Sequence, residues 1–151
     1  MLDTFTLPSP LGGAPLIYGR DDTGAWFILI EGRPPRPLTD TPYTVTPLLD
    51  FPLEQVQAQV ASLGGPDDFP YALAVEGSFR LNARHWLPRS LRWVEAAVRQ
   101  GEAWPLPFLE RYEAVARRPS KDEPFRAFQR TLLETLGGIR CALPPNLSPP
   151  G

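Results

Sequence analysis

The stretch Asn-Ala-Arg-His-Trp-Leu-Pro-Arg-Ser, residues 82–90, gathers most of the side chains in this chain that could do chemistry. It holds the only histidine, His85, between Arg84 and Arg89 and beside Trp86. An imidazole that titrates near neutral pH can move a proton, and a guanidinium takes carboxylate or phosphate through paired N–H donors. If residues 78–84 form a strand, alternation places Arg80, Asn82 and Arg84 on one face. Arg89 then follows on the first turn of a helix opening at Pro88, where free N–H groups add partial positive charge. Arg80, Asn82, Arg84, His85 and Arg89 are therefore the candidate anion-binding residues. The plainer alternative is a solvated face of paired arginines, with Trp86 filling an apolar corner.

Catalysis asks for more. A general base needs an orienting partner and a substrate proton within reach, and the sequence identifies neither for His85. No catalytic residue is assigned. Cys141 alternates with Ile139 and Leu143 and reads as a small hydrophobe. Trp104, between Ala103 and Pro105, either pins a loop or joins Trp86 as an anchor for a partner protein. The Gly-Gly pairs at 12, 64 and 137 punctuate turns and do not form a phosphate loop, and no helix carries two histidines at ligand spacing. With one cysteine there is no internal disulfide and no thiolate cage, so neither metal nor other cofactor is expected.

The elements that must position these groups follow from periodicity. "APLIYG" and "AWFILIEG" flank Asp21-Asp22-Thr23-Gly24, a turn cluster that predicts a hairpin. "RPPRPL", residues 33–38, lacks the backbone donors of a central strand and reads as a surface loop. "YTVT" alternates like a half-buried strand. Pro52 suits a first helical turn, Leu53, Val56, Val60 and Leu63 recur at helical spacing, and Gly64-Gly65 stops the run. "PYALAVEG" and Ser78–Arg84 read as two strands about a turn at Glu76-Gly77. Three helices are expected beyond. One runs from Pro88 with Leu91, Val94 and Val98 inward. The next starts near Pro107 with Phe108, Leu109, Tyr112, Val115 and Ala116 in phase and ends before Pro119. The last opens with Ser120–Glu123 as a capping box, buries Phe125, Phe128, Leu132 and Leu136, and stops at Gly137-Gly138. "IRCAL" then adds a late strand. The expected fold is α/β in the α+β sense: a mostly antiparallel five- to six-stranded sheet, one mid-chain helix and three C-terminal helices. Residues 1–143 form a single domain and 144–151 a flexible Pro-rich tail.

Several of these segments, in this order, resemble the acetolactate decarboxylase family across residues 24–100. "GAWFILIEG" is similar to that family's strand ending in an acidic-Gly turn, and "RPLTDTPYTVTPL" to its Arg-Pro…Thr-Pro segment. "LEQVQAQVASL" falls where the family has a helix, "YALAVEGSF" is similar to a family strand, and "ARHWLP" sits where the family has an arginine shortly before Val-Pro. The resemblance implies a shared scaffold. The family's chemistry, decarboxylation assisted by a zinc ion on three histidines, does not carry over to a chain with one histidine. The family carboxylate after the glycine of the first matched strand falls at Ala25. Arg84 precedes Pro88 by four residues, where the family spacing is three.

Totals bound the remaining classes. The chain has 151 residues, 42% hydrophobic and 21% charged, as in a globular protein, with 20 prolines that imply many turns. No apolar run approaches the roughly 18 residues of a membrane span, and the N-terminus has no secretory pattern, so a cytoplasmic protein is expected. Residues 1–75 carry three basic and nine acidic groups, and residues 76–151 carry twelve and eight. Fourteen of the fifteen cations are Arg, a composition that a GC-rich genome also produces. Acidic residues interleave with those arginines and no recognised motif appears, so nucleic acid is not expected as a partner. The leading expectation is a non-catalytic, metal-free binding module on an acetolactate-decarboxylase-like scaffold, recognising a protein partner or a small anion. One alternative is a metal-independent enzyme on a small acidic substrate, binding through Arg84 and Arg89 with His85 transferring the proton. Another is an immunity-type protein that blocks a partner through its acidic N-terminal half.

Overall fold

A computed structural model describes residues 3–7, 15–41, 44–65, 68–81 and 83–143. The chain divides into two compact units, Met1–Trp93 and Val94–Gly151.

The first unit opens with four short strands: β1 (Asp3–Leu7), β2 (Leu16–Arg20), β3 (Trp26–Leu29) and β4 (Arg36–Pro37). They form one antiparallel meander in sequence order. The β2–β3 hairpin is built by its turn. Asp21 Oδ1 accepts from the Thr23 and Ala25 amides at 2.9 and 3.0 Å and from the Thr23 hydroxyl at 2.6 Å. Gly24 takes φ +86°, the left-handed conformation that closes such a turn. Pairing Tyr18 with Ile28 puts both on one face, where they are buried. Pro37 pairs only at the sheet's edge, where a missing N–H costs no ladder bond.

Helices then take over. A 3-10 helix, Thr46–Asp50, precedes α1 (Leu53–Ser62), α2 (Tyr71–Arg80) and α3 (Ala83–Arg99). In α1 the expected stripe of Leu53, Val56 and Val60 is buried, while Leu63 is 43% exposed past the helix end. Gly64 at φ +78° stops α1, with the Gly65 amide donating to the Val60 carbonyl at 2.8 Å. An edge-to-face aromatic run, Tyr18–Phe69–Tyr71–Trp93, ties the sheet to α2 and α3 with ring centroids 5.1–6.0 Å apart.

The second unit takes in the last part of α3, followed by α4 (Phe108–Ala116) and α5 (Glu123–Ala142). Leu132, Leu136 and Ile139 recur at i, i+4 and i+7 and are buried along α5. Gln129 is buried beside them and spends its amide on the end of α4, donating to the carbonyls of Val115 at 2.9 Å and Arg118 at 2.7 Å.

The expected fold is corrected on several points. Among the described residues there are four strands, all N-terminal, and five α-helices, so helix dominates where a five- to six-stranded sheet was expected. "YALAVEGSFR" is α2, not the first arm of a hairpin: Ala74, Val75 and Ser78 form a helical stripe that buries against the 3-10 helix. Gly77 is buried inside α2 rather than at a turn, and Thr46 Oγ1 donates to the Ala74 carbonyl at 3.3 Å. Thr44–Asp50, expected to begin as a strand, is turn and 3-10 helix, with Pro47 in the first turn. α3 starts at Ala83, five residues before Pro88, which therefore lies inside the helix and leaves the Arg84 carbonyl without its usual amide donor. Asp122 caps α5, accepting from the Phe125 amide at 3.0 Å; Ser120 instead accepts from the Asp122 amide. Gly137 and Gly138 continue α5, and "IRCA" is its last turn, not a strand. Strand β1 carried no expectation, and the expected tail, 144–151, lies outside the described residues.

Candidate functional site

The shared strand face on which the anion site was assembled does not form, because Arg80 and Arg84 lie on successive helices. Arg80 ends α2, where its guanidinium meets Glu76 at 3.3 Å, one turn back. Asn82 lies outside the described residues. Arg84 and His85 are exposed on the first turn of α3, and Arg89 follows one turn after His85. Arg92 continues the stripe: 85, 89 and 92 fall at i, i+4 and i+7, so His85, Arg89 and Arg92 share one face of the helix.

The partner that organises this face is Asp50, at the end of the 3-10 helix. Its Oδ1 lies 2.8 Å from Arg89 Nε and 3.9 Å from His85 Nε2. The first is a close ion pair; the second is a through-space contact beyond hydrogen-bonding length. Arg89 also donates from a terminal nitrogen to the His85 carbonyl at 2.8 Å, which locks the guanidinium across one turn of α3.

Asp50 arrives there for a physical reason. Trp93 is 1% exposed, and its indole N–H donates to the Phe51 carbonyl at 2.7 Å. An indole N–H buried in an aromatic cluster must find an acceptor, and this bond holds segment 50–51 against α3. Asp50 is thereby set beside Arg89, one turn before Trp93, and Phe51 is left 37% exposed. Trp86 is half-buried and stands edge-on to His85, with ring centroids 4.5 Å apart. The second candidate anchor, Trp104, is also half-buried and sits edge-on to Phe108 at 6.5 Å within the other unit.

Asp50 and Phe51 were missed in the sequence. Nothing local marks them, since their role comes from a bond to a tryptophan three helices further on. Chemically, the arrangement offers guanidinium and imidazole groups with one carboxylate beside two aromatic rings. The distance from Asp50 to His85 is too long for a dyad in which a carboxylate orients an imidazole as base. A small anion reaching Arg89 meets a guanidinium whose Nε already faces Asp50 and one of whose terminal nitrogens already donates to a backbone carbonyl. Cys141, read as an inward strand residue, is exposed on the last turn of α5. Among the described residues no three His, Cys, Asp or Glu side chains come together as a metal-holding group. Among them, too, no helix is long and apolar enough to cross a membrane. No family model, no curated protein and no solved structure matches the chain.

Proposed function

We propose that this protein is a protein-recognition module whose contact surface is the outward side of the first half of α3 with residues 50–51. One observation carries the reading: the Asp50–Arg89 ion pair has the exposed Phe51 next to it in the chain and the half-buried Trp86, edge-on to His85, one turn before Arg89 on α3. Tryptophan and arginine are the residues most enriched where binding energy concentrates, and an aromatic ring beside a fixed polar pair gives area and orientation together. Trp93 and the Arg89 bond to the His85 carbonyl restrict the surface before a partner arrives, so less ordering entropy is lost on binding. The small-anion and enzyme readings are served less well by a guanidinium already engaged and an imidazole to which, among the described residues, no side chain gives an orienting hydrogen bond.

A photoreactive phenylalanine analogue placed at Phe51, in the cells that make this protein, tests the proposal. The same analogue at Leu133, exposed on α5, serves as the control. The expected outcome is one protein cross-linked from position 51, absent from position 133, and lost when Trp86→Ala is added. Cross-linking that is indistinguishable between the two positions refutes the reading.

A further inference from the structure

We infer that residues 33–37, Arg-Pro-Pro-Arg-Pro, form a docking segment for a second protein, one that reads polyproline through a groove of aromatic rings with carboxylates at its rim. No residue of α3 takes part, so the inference does not rest on the recognition reading above. Proline fixes its own φ at about −65° and holds the residue before it extended. Arg33 and Arg36 each precede a proline, and the other three positions are prolines, so every residue of the run is driven toward the polyproline conformation by the sequence itself. At roughly three residues per turn, Arg33 and Arg36 fall on one edge of such a helix and Pro34 and Pro37 on another. The fold presents the run: Arg33, Pro34, Pro35 and Arg36 are exposed, and Pro37 is half-buried. Both ends are fixed. On one side Gly32, at φ +78°, belongs to a turn in which the Arg33 amide donates to the Ile30 carbonyl at 3.0 Å. On the other, Leu38 is fully buried and its amide donates to the Trp26 carbonyl at 3.0 Å. A segment pinned at both ends and stiff between them loses little entropy on binding.

Backbone donors decide which kind of partner fits. Pro34, Pro35 and Pro37 have no N–H, and the Arg33 amide already donates to Ile30. The Leu38 bond to Trp26 marks a hydrogen-bonded pair, and antiparallel alternation puts the next at Arg36 and Ile28, so the Arg36 amide turns inward to β3. The run therefore has no amide left for an added strand, and β4 is closed to sheet extension along it. What it presents is proline rings and two guanidinium groups. Glu31 and Asp40 are the nearest carboxylates in the chain, yet among the described residues no carboxylate, these two included, pairs with Arg33 or Arg36. Aromatic rings that receive prolines, and carboxylates that meet the planar arginine forks, complete the match.

A panel of fluorescently labelled WW domains, whose proline grooves are lined with aromatic rings, is the probe, and anisotropy reads the binding of each to the whole chain. Members with acidic rims are set against members with basic rims. The acidic-rimmed domains should bind and the basic-rimmed ones should not. Replacing Pro34→Ala and Pro35→Ala together should abolish binding while the far-ultraviolet circular dichroism stays unchanged, because both side chains are exposed. Arg33→Glu and Arg36→Glu should each weaken binding about fivefold, the scale of an exposed ion pair, and they read the contact without altering the stiffness of the backbone. Binding by no member of the panel, binding that survives the double alanine variant, or an affinity indifferent to rim charge and to both arginine reversals overturns the assignment.

Discussion

Gln129→Met isolates one buried polar contact in the second unit. Gln129 is 7% exposed, and its amide nitrogen gives two hydrogen bonds to the chain leaving α4. Those carbonyls belong to a helix C-terminus, where the last four acceptors have no partner inside the helix. The two are not equivalent. The Val115 carbonyl also accepts from the Arg118 amide at 3.2 Å, so it keeps one donor without Gln129. The Arg118 carbonyl has the side-chain amide as its donor at 2.7 Å. Methionine has nearly the same length and volume and no N–H. The substitution therefore removes the donors while leaving the packing around Leu132 in place. An unsatisfied buried acceptor costs roughly 1–3 kcal/mol, and the extra apolar burial of the thioether offsets part of that. The expected loss is about 2 kcal/mol, close to a thirtyfold change in the folded-to-unfolded ratio.

Urea unfolding followed by far-ultraviolet circular dichroism gives the magnitude, and hydrogen exchange read by mass spectrometry gives its location. Protection should fall in the α4 and α5 peptides. Gln129→Glu supplies the sharper arm. Ionised, it aims a carboxylate at two carbonyl oxygens and should cost more than the Met variant at neutral pH. Protonated, it can donate one O–H. Its folded pKa is then raised above the unfolded value of about 4.3, so its stability is highest below that pH and falls as pH rises. A Met variant within about 0.5 kcal/mol of the parent, the ordinary range of a surface change, refutes the reasoning.

Two pH effects follow from the other polar contacts. Burial pushes the Tyr18 hydroxyl well above the ordinary tyrosine range, while it donates to the Thr44 carbonyl at 3.3 Å. A raised acid pKa contributes stability that is complete below about pH 10 and lost as pH climbs beyond it, so alkaline denaturation curves should be shallower for Tyr18→Phe than for the parent. Hydrogen bonds from Arg140 and then Arg117 hold Glu113 below the usual carboxylate range, with Arg140 at 2.6 Å and Arg117 at 3.1 Å. That contribution is present above about pH 4.3 and disappears as pH falls through the lowered value, so Glu113→Gln should flatten the acid limb of a melting-temperature profile. An acid limb identical to the parent's would show that the Glu113 bridge between α4 and α5 contributes nothing to folding.

What the sequence made legible was local. The Asp21–Gly24 cluster specifies its hairpin through bonds within five residues, and α1 and α4 carry stripes that only a helical period explains. The errors came where two periods fit one run. In "YALAVEGSF", Tyr71, Leu73 and Val75 alternate, but Ala74, Val75 and Ser78 also repeat at helical spacing. The second pattern prevails because the 3-10 helix packs on it, a tertiary contact that no window of residues contains. The same segment is one of those that resemble a decarboxylase strand, and here it is α2. Glycines misled in one direction. Gly64 has the positive φ that ends a helix, whereas Gly77, Gly137 and Gly138 sit within helices. Composition does not distinguish these cases, since a glycine stops a helix only when the following chain has somewhere else to go.

The candidate site shows the same limit from the functional side. His85 and Arg89 stood out because they are rare or clustered, and both do lie on one exposed helical stripe. The group that gives the stripe its geometry is Asp50, and Asp50 is placed by the Trp93 bond to its neighbour's carbonyl. A rare residue can be found by inspection; a common carboxylate made significant by a distant indole can only be found after folding. Trp93 is thus the element on which the stripe's geometry depends, although it is buried. Replacing it would release residues 50–51 from α3, leave Arg89 with the His85 carbonyl alone, and remove the order that the indole bond gives this stripe.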